Sequence, residues 1–229
     1  MTTSSIKWFL TITFLCSWGV SMAQDNFTAY WQPQIAINYP VSPLYSHNFS
    51  LVNRNYVVET DNWKFNTRQL DIAHFSKLSL QDNQSIALGI QYRFRNIFEG
   101  SSDELRLIQQ YNFTSRPLAV RYGHRFRSEQ RITRKVTFHR FRYRFSIDFP
   151  LKGEKLDIGE TFLVVGNENL LSISKGNSPQ YDTRLQGQLG WKLDKSLKLL
   201  VGMEYRLEDY TATLPQNVFF LLTSCQLSY

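Results

Sequence analysis

Three side chains near the middle of the chain are of types that can catalyse hydrolysis: Ser128, Glu129 and His139. A hydrolase holds a nucleophile or an activated water within hydrogen-bond reach of a histidine or carboxylate base. His139 shares its alternation with the aromatic Phe141, which favours a histidine on an apolar surface over a catalytic one. We therefore predict no catalytic site and keep the trio as the alternative.

A larger set of charged side chains recurs at alternate positions of the chain. Arginine presents a planar fork that pairs bidentately with a carboxylate, so arginines and glutamates on neighbouring strands can brace one another. One interpretation is a pore that attracts anions. The other, which we favour, is an interior that is filled by charges neutralising one another. The set consists of Glu104, Arg106, Arg121, Arg125, Arg127, Glu129, Arg131, Arg140, Arg142, Arg144, Glu160, Arg184, Glu204 and Arg206.

The sequence shows no metal, phosphate-loop or dinucleotide motif, so we expect no metal site and no cofactor. Asp103-Glu104 and Glu208-Asp209 fall near connections, where solvated carboxylates are a simpler interpretation than a calcium site. A formal net charge of +7 can indicate a nucleic-acid partner. The arginines are instead spread along alternating segments and form no single basic block, so we predict no nucleic-acid partner.

The charges lie in segments with a two-residue period, which is the mark of β-strands with two different faces. From Phe141 to Phe149 every odd position is aromatic or aliphatic and every even position is polar. Similar alternation recurs around residues 88–95, 118–127, 184–193 and 197–207. No stretch after residue 23 has the pattern of a long amphipathic helix, so the sequence predicts an all-β fold.

The connections between these segments are of two kinds that alternate along the chain. Short ones lie near residues 81–83, 115–117, 151–153 and 194–195, and longer polar ones near 96–103, 132–137, 166–182 and 208–216. Short turns at one rim and long loops at the other are typical of an antiparallel up-and-down transmembrane β-barrel. Counting back from the C-terminus gives about ten strands, beginning near Phe49. Because such barrels have even strand numbers, twelve is the alternative; a further strand at 28–38 is weakened by Pro33.

The first 23 residues form a separate segment. Lys7 is followed by an apolar run from Trp8 to Val20 and then by Ser21-Met22-Ala23, the pattern of a cleaved secretory signal peptide. The run is shorter than the roughly 20 residues that a transmembrane helix needs. Residues 24–229 then suit one domain, the barrel. They contain a single cysteine, Cys225, so no internal disulfide can stabilise it.

Alternation alone does not decide which face of a barrel is apolar, because a soluble barrel encloses that face and a membrane barrel exposes it. The C-terminal segment favours the membrane: Phe219, Leu221, Leu227 and the final Tyr229 resemble the signal by which outer-membrane barrels are recognised for assembly. Aromatic residues make up 15% of the chain, enough for the two aromatic girdles of such a barrel. We therefore expect the apolar residues outside and the charged set in the lumen.

A family resemblance supports the same fold. Two blocks, Arg125-Phe126-Arg127-Ser128-Glu129-Gln130-Arg131 and Arg140-Phe141-Arg142-Tyr143-Arg144, with Pro150-Leu151 after them, resemble the DUF2490 family of uncharacterised bacterial outer-membrane barrels. Four further segments also resemble sequences of this family: Glu104-Leu105-Arg106, Gly159-Glu160-Thr161-Phe162, Arg184-Leu185 and Gly190-Trp191-Lys192-Leu193. The resemblance spans nearly all of the chain after residue 23. It implies a barrel in the outer membrane and no particular activity.

The sequence thus favours an outer-membrane β-barrel of structural or transport type, with a charged lumen largely filled by side chains. Its expected partners are outer-membrane lipids, lipopolysaccharide and the barrel-assembly machinery, and the oligomeric state is open. One alternative is a barrel enzyme that acts on lipid or peptide at the outer rim. The other is a soluble periplasmic barrel that binds an apolar ligand.

Overall fold

The computed structural model describes residues 27–59, 62–95 and 103–229, and the predicted signal peptide lies outside them. Within these residues the fold is all-β. No helix there is long and apolar enough to cross a membrane. The strands are β1 (Phe27–Pro40), β2 (Tyr45–Glu59), β3 (Asn62–Trp63), β4 (Thr67–Gln81), β5 (Gln84–Arg95), β6 (Glu104–Ser115), β7 (Arg121–Ile132), β8 (Thr137–Pro150), β9 (Thr161–Ser174), β10 (Asn177–Lys192), β11 (Leu197–Glu208) and β12 (Gln216–Ser228).

These strands form one closed barrel. Neighbours along the chain pair antiparallel from β4 to β12, and β2 pairs with β4. β1 closes the ring, because it pairs antiparallel with β2 on one side and parallel with β12 on the other. The wall therefore has eleven strands, and the two-residue β3 is an addition to the end of β2.

The predicted number of ten strands is wrong, and so is the alternative of twelve. An even number follows from antiparallel closure, which places both chain ends at one rim. Here β1 and β12 run in the same direction, with Phe27 opposite Asn217 and Asn38 opposite Ser228. The barrel thus has an N-terminal rim, where β1 begins, and a C-terminal rim, where β12 ends.

The closing strand β1 contains Pro33, a residue that lacks the amide donor of a regular strand. The barrel accommodates it where the ladder is already interrupted. Pairing between β1 and β2 passes from Trp31 opposite Asn55 directly to Gln34 opposite Val52. The further strand that the sequence suggested at 28–38 therefore exists, despite the proline.

The connections do not divide into short and long ones by rim. β9 and β10 are joined by Lys175 and Gly176 alone, and Gly176 adopts a φ of +79°, which suits a tight turn. The predicted long loop at 166–182 is therefore wrong, because most of it lies in two strands whose polar side chains occupy both faces. The predicted short connection at 151–153 is also wrong, since residues 151–160 separate β8 from β9.

The strands of the wall present one face to the lumen and the other to the outside. On β8, Arg142 lines the lumen, while its neighbours Phe141 and Tyr143 are 49% and 37% exposed on the outer face. Elsewhere in the barrel Leu88 is 67% exposed and Glu104 is fully buried. The barrel thus has a polar interior and an apolar exterior.

Candidate functional site in the barrel lumen

The inner wall carries a network of arginines and carboxylates, and its most buried member is Glu104. This carboxylate is 0% exposed and is bound by three arginines. Arg95 donates to it at 2.7 Å and Arg131 at 2.8 Å, and Arg106 forms a third, close ion pair. The register explains the convergence, because Arg106 of β6 lies directly opposite Arg131 of β7 on the same face.

Two arginines extend the network by bridging pairs of carboxylates. Arg106, bound to Glu104, also lies 3.2 Å from Glu129. Arg142 lies 3.1 Å from Glu129 and 3.6 Å from Glu168. Two further arginines bind this last carboxylate, Arg125 at 2.8 Å and Arg184 at 3.4 Å. A continuous chain of ion pairs therefore runs along the inner wall from β5 to β10.

Separate ion pairs extend the charge pattern around the rest of the wall. Arg93 donates Nε and Nη2 to the two oxygens of Asp71, at 2.7 and 2.6 Å, in the bidentate geometry that guanidinium groups favour. The others are Arg140 with Asp182 at 2.9 Å, and Arg206 with Glu204 and, at 3.9 Å, Glu208. Such pairing is what permits charges to be buried, because an isolated buried charge is costly.

A cluster of aromatic rings lies where β1, β2 and β12 meet inside the barrel. Tyr30 stacks on Phe220 with ring centroids 5.1 Å apart and lies 4.9 Å from the ring of Tyr56. The guanidinium carbons of Arg206 and Arg54 lie 3.8 and 4.7 Å from the Phe220 centroid. Cation–π attraction thus supports two lumen arginines at this place.

The side chains leave a cavity of about 770 Å³ in the lumen. Thirteen arginines line it, against six aspartates and glutamates, and Lys77 adds a further cation. The positively charged side chains still outnumber the carboxylates when the buried Glu104 and Glu129 are counted as well. The arginines are Arg54, Arg68, Arg93, Arg95, Arg106, Arg125, Arg127, Arg131, Arg140, Arg142, Arg144, Arg184 and Arg206. The lumen is therefore braced by ion pairs and carries a net positive charge.

Most of the charged set singled out in the sequence lies in this inner wall. Ten of its residues form the ion pairs described above: Glu104, Arg106, Arg125, Glu129, Arg131, Arg140, Arg142, Arg184, Glu204 and Arg206. Arg127 and Arg144 also line the cavity, but no ion pair with a carboxylate is formed by either among the described residues.

Two members of that set lie away from the network. Arg121 pairs with Asp148 at 2.6 Å near the C-terminal rim, where the arginine side chain is 58% exposed. Glu160 lies in the connection between β8 and β9 and accepts a hydrogen bond from the backbone amide of Asp157 at 3.0 Å. Both residues fit the two-residue alternation that identified the charged set, but they lie too close to the rim to contact the other charges.

The sequence-based set omits several residues of the network. Arg93 and Arg95 alternate with Tyr92 and Phe94, so the two-residue period carried the signal that identifies them. Glu168 and Asp182 lie in the segment that was interpreted as a loop, and no alternation points to them there. The omitted residues are Asp71, Arg93, Arg95, Glu168, Asp182 and Glu208.

The three candidate catalytic residues lie on opposite faces of the wall. Ser128 pairs with Phe141 across the outer face, and His139 is exposed on that same face. Glu129 is 1% exposed on the inner face, where it is bound by arginines. The wall separates the carboxylate from the other two side chains. In the part of the chain that the structure describes, no group of three or more His, Cys, Asp or Glu residues is placed to hold a metal ion.

The C-terminal residues proposed as an assembly signal lie on the last strand or directly after it. Phe219, Leu221 and Leu227 occupy alternate positions of β12, and Leu221 is 40% exposed on the outer face. Tyr229 follows the strand at the C-terminal rim and is 73% exposed. An apolar stripe that ends in an aromatic residue is therefore accessible from outside the barrel.

A family model described as a protein of unknown function (DUF2490) matches residues 28–217, a range that begins in β1 and ends in β12. No curated protein and no solved structure matches the chain significantly.

Proposed function

The chain belongs to the DUF2490 family of proteins of unknown function, and we propose that it is an outer-membrane β-barrel with a braced, cationic lumen. The proposal has two parts, the place of the barrel and the behaviour of its lumen. The single observation that carries the first part is the absence of charge on the outer face of the described strands β5–β12. The ion-pair network carries the second.

The outer face of β5–β12 supports a lipid environment. In these described strands, the positions that alternate with the lumen-facing ones hold apolar, aromatic or uncharged polar residues, and none holds Asp, Glu, Lys or Arg. An arginine or lysine facing lipid near the bilayer midplane costs roughly 2–4 kcal/mol. In water, by contrast, an apolar surface that encircles the protein would be a liability.

Strand length fits the same environment. The strands from β5 to β12 contain 12 to 16 residues each, and a tilted strand needs about 9–11 residues to cross the hydrocarbon core of a bilayer. The predicted signal peptide, the C-terminal stripe ending in Tyr229 and the family resemblance favour the bacterial outer membrane. Lipids and lipopolysaccharide would then cover the apolar face, and the barrel-assembly machinery would insert it.

The lumen supports a structural or transport role without a wide, permanently open pore. The chain of ion pairs fixes the arginine side chains across β5–β10, while the cavity of about 770 Å³ leaves room for small solutes. The net positive lining would attract anions. We therefore propose a barrel that does not conduct steadily and whose lumen takes up anionic solutes.

Neither alternative function gains support from the described residues. An enzyme built on Ser128, Glu129 and His139 requires side chains that the barrel wall separates. A soluble barrel for an apolar ligand requires the apolar face inside, whereas Phe141 and Leu88 lie outside.

Cell fractionation tests the place of the barrel. The protein should pellet with outer membranes after removal of peripheral proteins with carbonate. It should also migrate at different apparent sizes on gels before and after heating, since closed barrels resist denaturation by detergent. Recovery in the soluble periplasmic fraction would overturn the proposal.

Planar-bilayer recordings test the lumen. The unmodified protein should show little or no steady current. A variant in which Glu168 and its three arginines, Arg125, Arg142 and Arg184, are all replaced by Gln should conduct more, because a section of the bracing is lost. Glu129 loses Arg142 in this variant but keeps its ion pair with Arg106. The matched control is Arg121→Gln at the C-terminal rim, which should leave the current unchanged. A large, stable, anion-selective current from the unmodified protein would contradict a braced lumen.

A further inference from the structure

Four arginines form a block on two neighbouring strands in the middle of the inner wall. Arg125 of β7 lies directly opposite Arg144 of β8, and Arg127 lies directly opposite Arg142. Directly opposed residues of an antiparallel pair have Cβ atoms about 5 Å apart, and diagonal neighbours are still within reach of long side chains. Four like charges at such spacing repel one another unless anions compensate them.

The carboxylates of the wall compensate only half of this block. Arg125 and Arg142 are bound to Glu168, and Arg142 also to Glu129. Among the described residues, neither Arg127 nor Arg144 forms an ion pair. These two are diagonal neighbours, and both line the cavity.

Among the described residues, neither arginine is neutralised by its immediate surroundings. Arg127 donates Nε and Nη2 to the side-chain oxygen of Gln110, at 3.0 and 2.6 Å, and its guanidinium carbon lies 5.3 Å from the ring centroid of Phe75. Arg144 lies beside Gly166, where a Cβ atom would be only 3.4 Å from its Nε. Arg127 Nη1 takes no part in the bonds to Gln110, and both arginines line the cavity.

We propose that Arg127 and Arg144 form a binding site for a small soluble oxyanion of the phosphate type in the lumen of the barrel. Two guanidinium forks on one face match the several acceptor oxygens of such an anion. The site deepens the proposed function, since it names the class of solute that the cationic lumen takes up. It rests on the polar lumen, and its test does not depend on the membrane location.

Calorimetric titration with inorganic phosphate tests the site. The folded protein is studied in a phospholipid-free detergent at low ionic strength, with its gel shift on heating as the check of folding. Arg127→Gln and Arg144→Gln should each weaken phosphate binding about tenfold or more, the effect of losing a charge-assisted contact. Arg127→Lys, which keeps the charge and loses the fork, should weaken it less and serves if the Gln variant does not fold.

The matched control is Arg54→Gln, which removes the same charge from another part of the lumen. Arg54 resembles Arg127 in its bonds, since its Nε and Nη2 are bound to Gln32 and its guanidinium faces the Phe220 ring. It differs in place, because it lies on β2, which neighbours neither β7 nor β8 in the barrel. This variant should bind phosphate within about twofold of the unmodified protein. An equal loss in all three Gln variants would mean general attraction by the lumen and would overturn the site, as would absence of phosphate binding by the unmodified protein.

A second arm separates free phosphate from a lipid headgroup, which carries the same group. The titration is repeated with micelles that contain phosphatidylglycerol at the same phosphate concentration. If inorganic phosphate still binds in the presence of these micelles, the result supports a soluble ligand in the lumen. If the lipid displaces inorganic phosphate, or if the protein binds the lipid and not inorganic phosphate, the proposal is overturned.

Discussion

The inner and outer faces of β7 and β8 differ in the partners of their side chains. On the inner face Glu129 is 1% exposed, and Arg142 lies 3.1 Å from it. On the outer face Phe126 packs on Tyr143, with ring centroids 4.9 Å apart, yet half of its surface remains exposed. The carboxylates of the inner face are bound by arginines of the chain itself, whereas the outer face depends on what surrounds the barrel.

Substitutions that change a charge should therefore have different consequences on the two faces. On the inner face a substitution is costly when it leaves a partner charge buried, and a second substitution can relieve the cost. On the outer face a new charge meets no partner, so no other change in the lumen relieves it. Mutations on the two faces therefore test separate parts of the fold.

Removing the most buried carboxylate should have the largest effect. Glu104→Gln leaves the guanidinium groups of Arg95, Arg106 and Arg131 close together without their shared anion, at a cost of about 3–5 kcal/mol. The measurement is the free energy of unfolding in urea of the protein folded into lipid vesicles. Glu208→Gln is the matched control: Glu208 is 35% exposed and 3.9 Å from Arg206, so its loss should cost about 0–1 kcal/mol. Equal effects of the two changes would contradict the network.

Placing a charge on the outer face should have the next largest effect. Tyr143→Arg should lower the folding yield into vesicles, at about 2–4 kcal/mol near the bilayer midplane. Tyr143→Phe is the control, since it keeps the apolar face and removes only the hydrogen bond between the tyrosine hydroxyl and His124. Normal insertion of Tyr143→Arg together with improved insertion of Arg142→Leu would mean that the two faces are reversed.

A smaller effect is expected for Arg142→Leu on the inner face. The change strands part of the charge of Glu129 and Glu168, at about 1–3 kcal/mol. Other arginines still bind both carboxylates, which keeps the cost below that of Glu104→Gln. Adding Glu129→Gln should recover part of the lost free energy of unfolding. If the second change adds to the loss instead, the ion pair between Arg142 and Glu129 is not formed.

The sequence predicts the wall of the barrel better than its closure. Alternation within single strands, such as Phe141–Phe149, is a local property and identifies two faces without knowledge of the rest of the fold. The partner of β1 is not local: its parallel pairing with β12 joins the two ends of the chain. No feature of the sequence at Pro33 indicates that pairing, and the assumption of an even strand number excluded it.

The candidate site shows the same limit. Arg127 and Arg142 stand out in the sequence because arginines alternate with aromatic residues on both strands. Glu168 does not, since Asn167 and Asn169 on either side of it are also polar and remove the contrast between the faces. Which arginine each carboxylate binds depends on strand register, and register is fixed by long-range pairing that a single sequence does not display.

Fluorescence quenching at two neighbouring positions tests most directly whether the outer face meets lipid. Leu185 is 55% exposed on the outer face of β10, and the next residue, Gln186, lines the cavity. With Cys16 and Cys225 replaced by Ser, a bimane label is attached to Leu185→Cys or Gln186→Cys in protein folded into vesicles with brominated acyl chains. Strong quenching at position 185 and little at 186 is the predicted result. Equal quenching at both positions, or quenching at 186 alone, would contradict a barrel with its apolar face in the membrane.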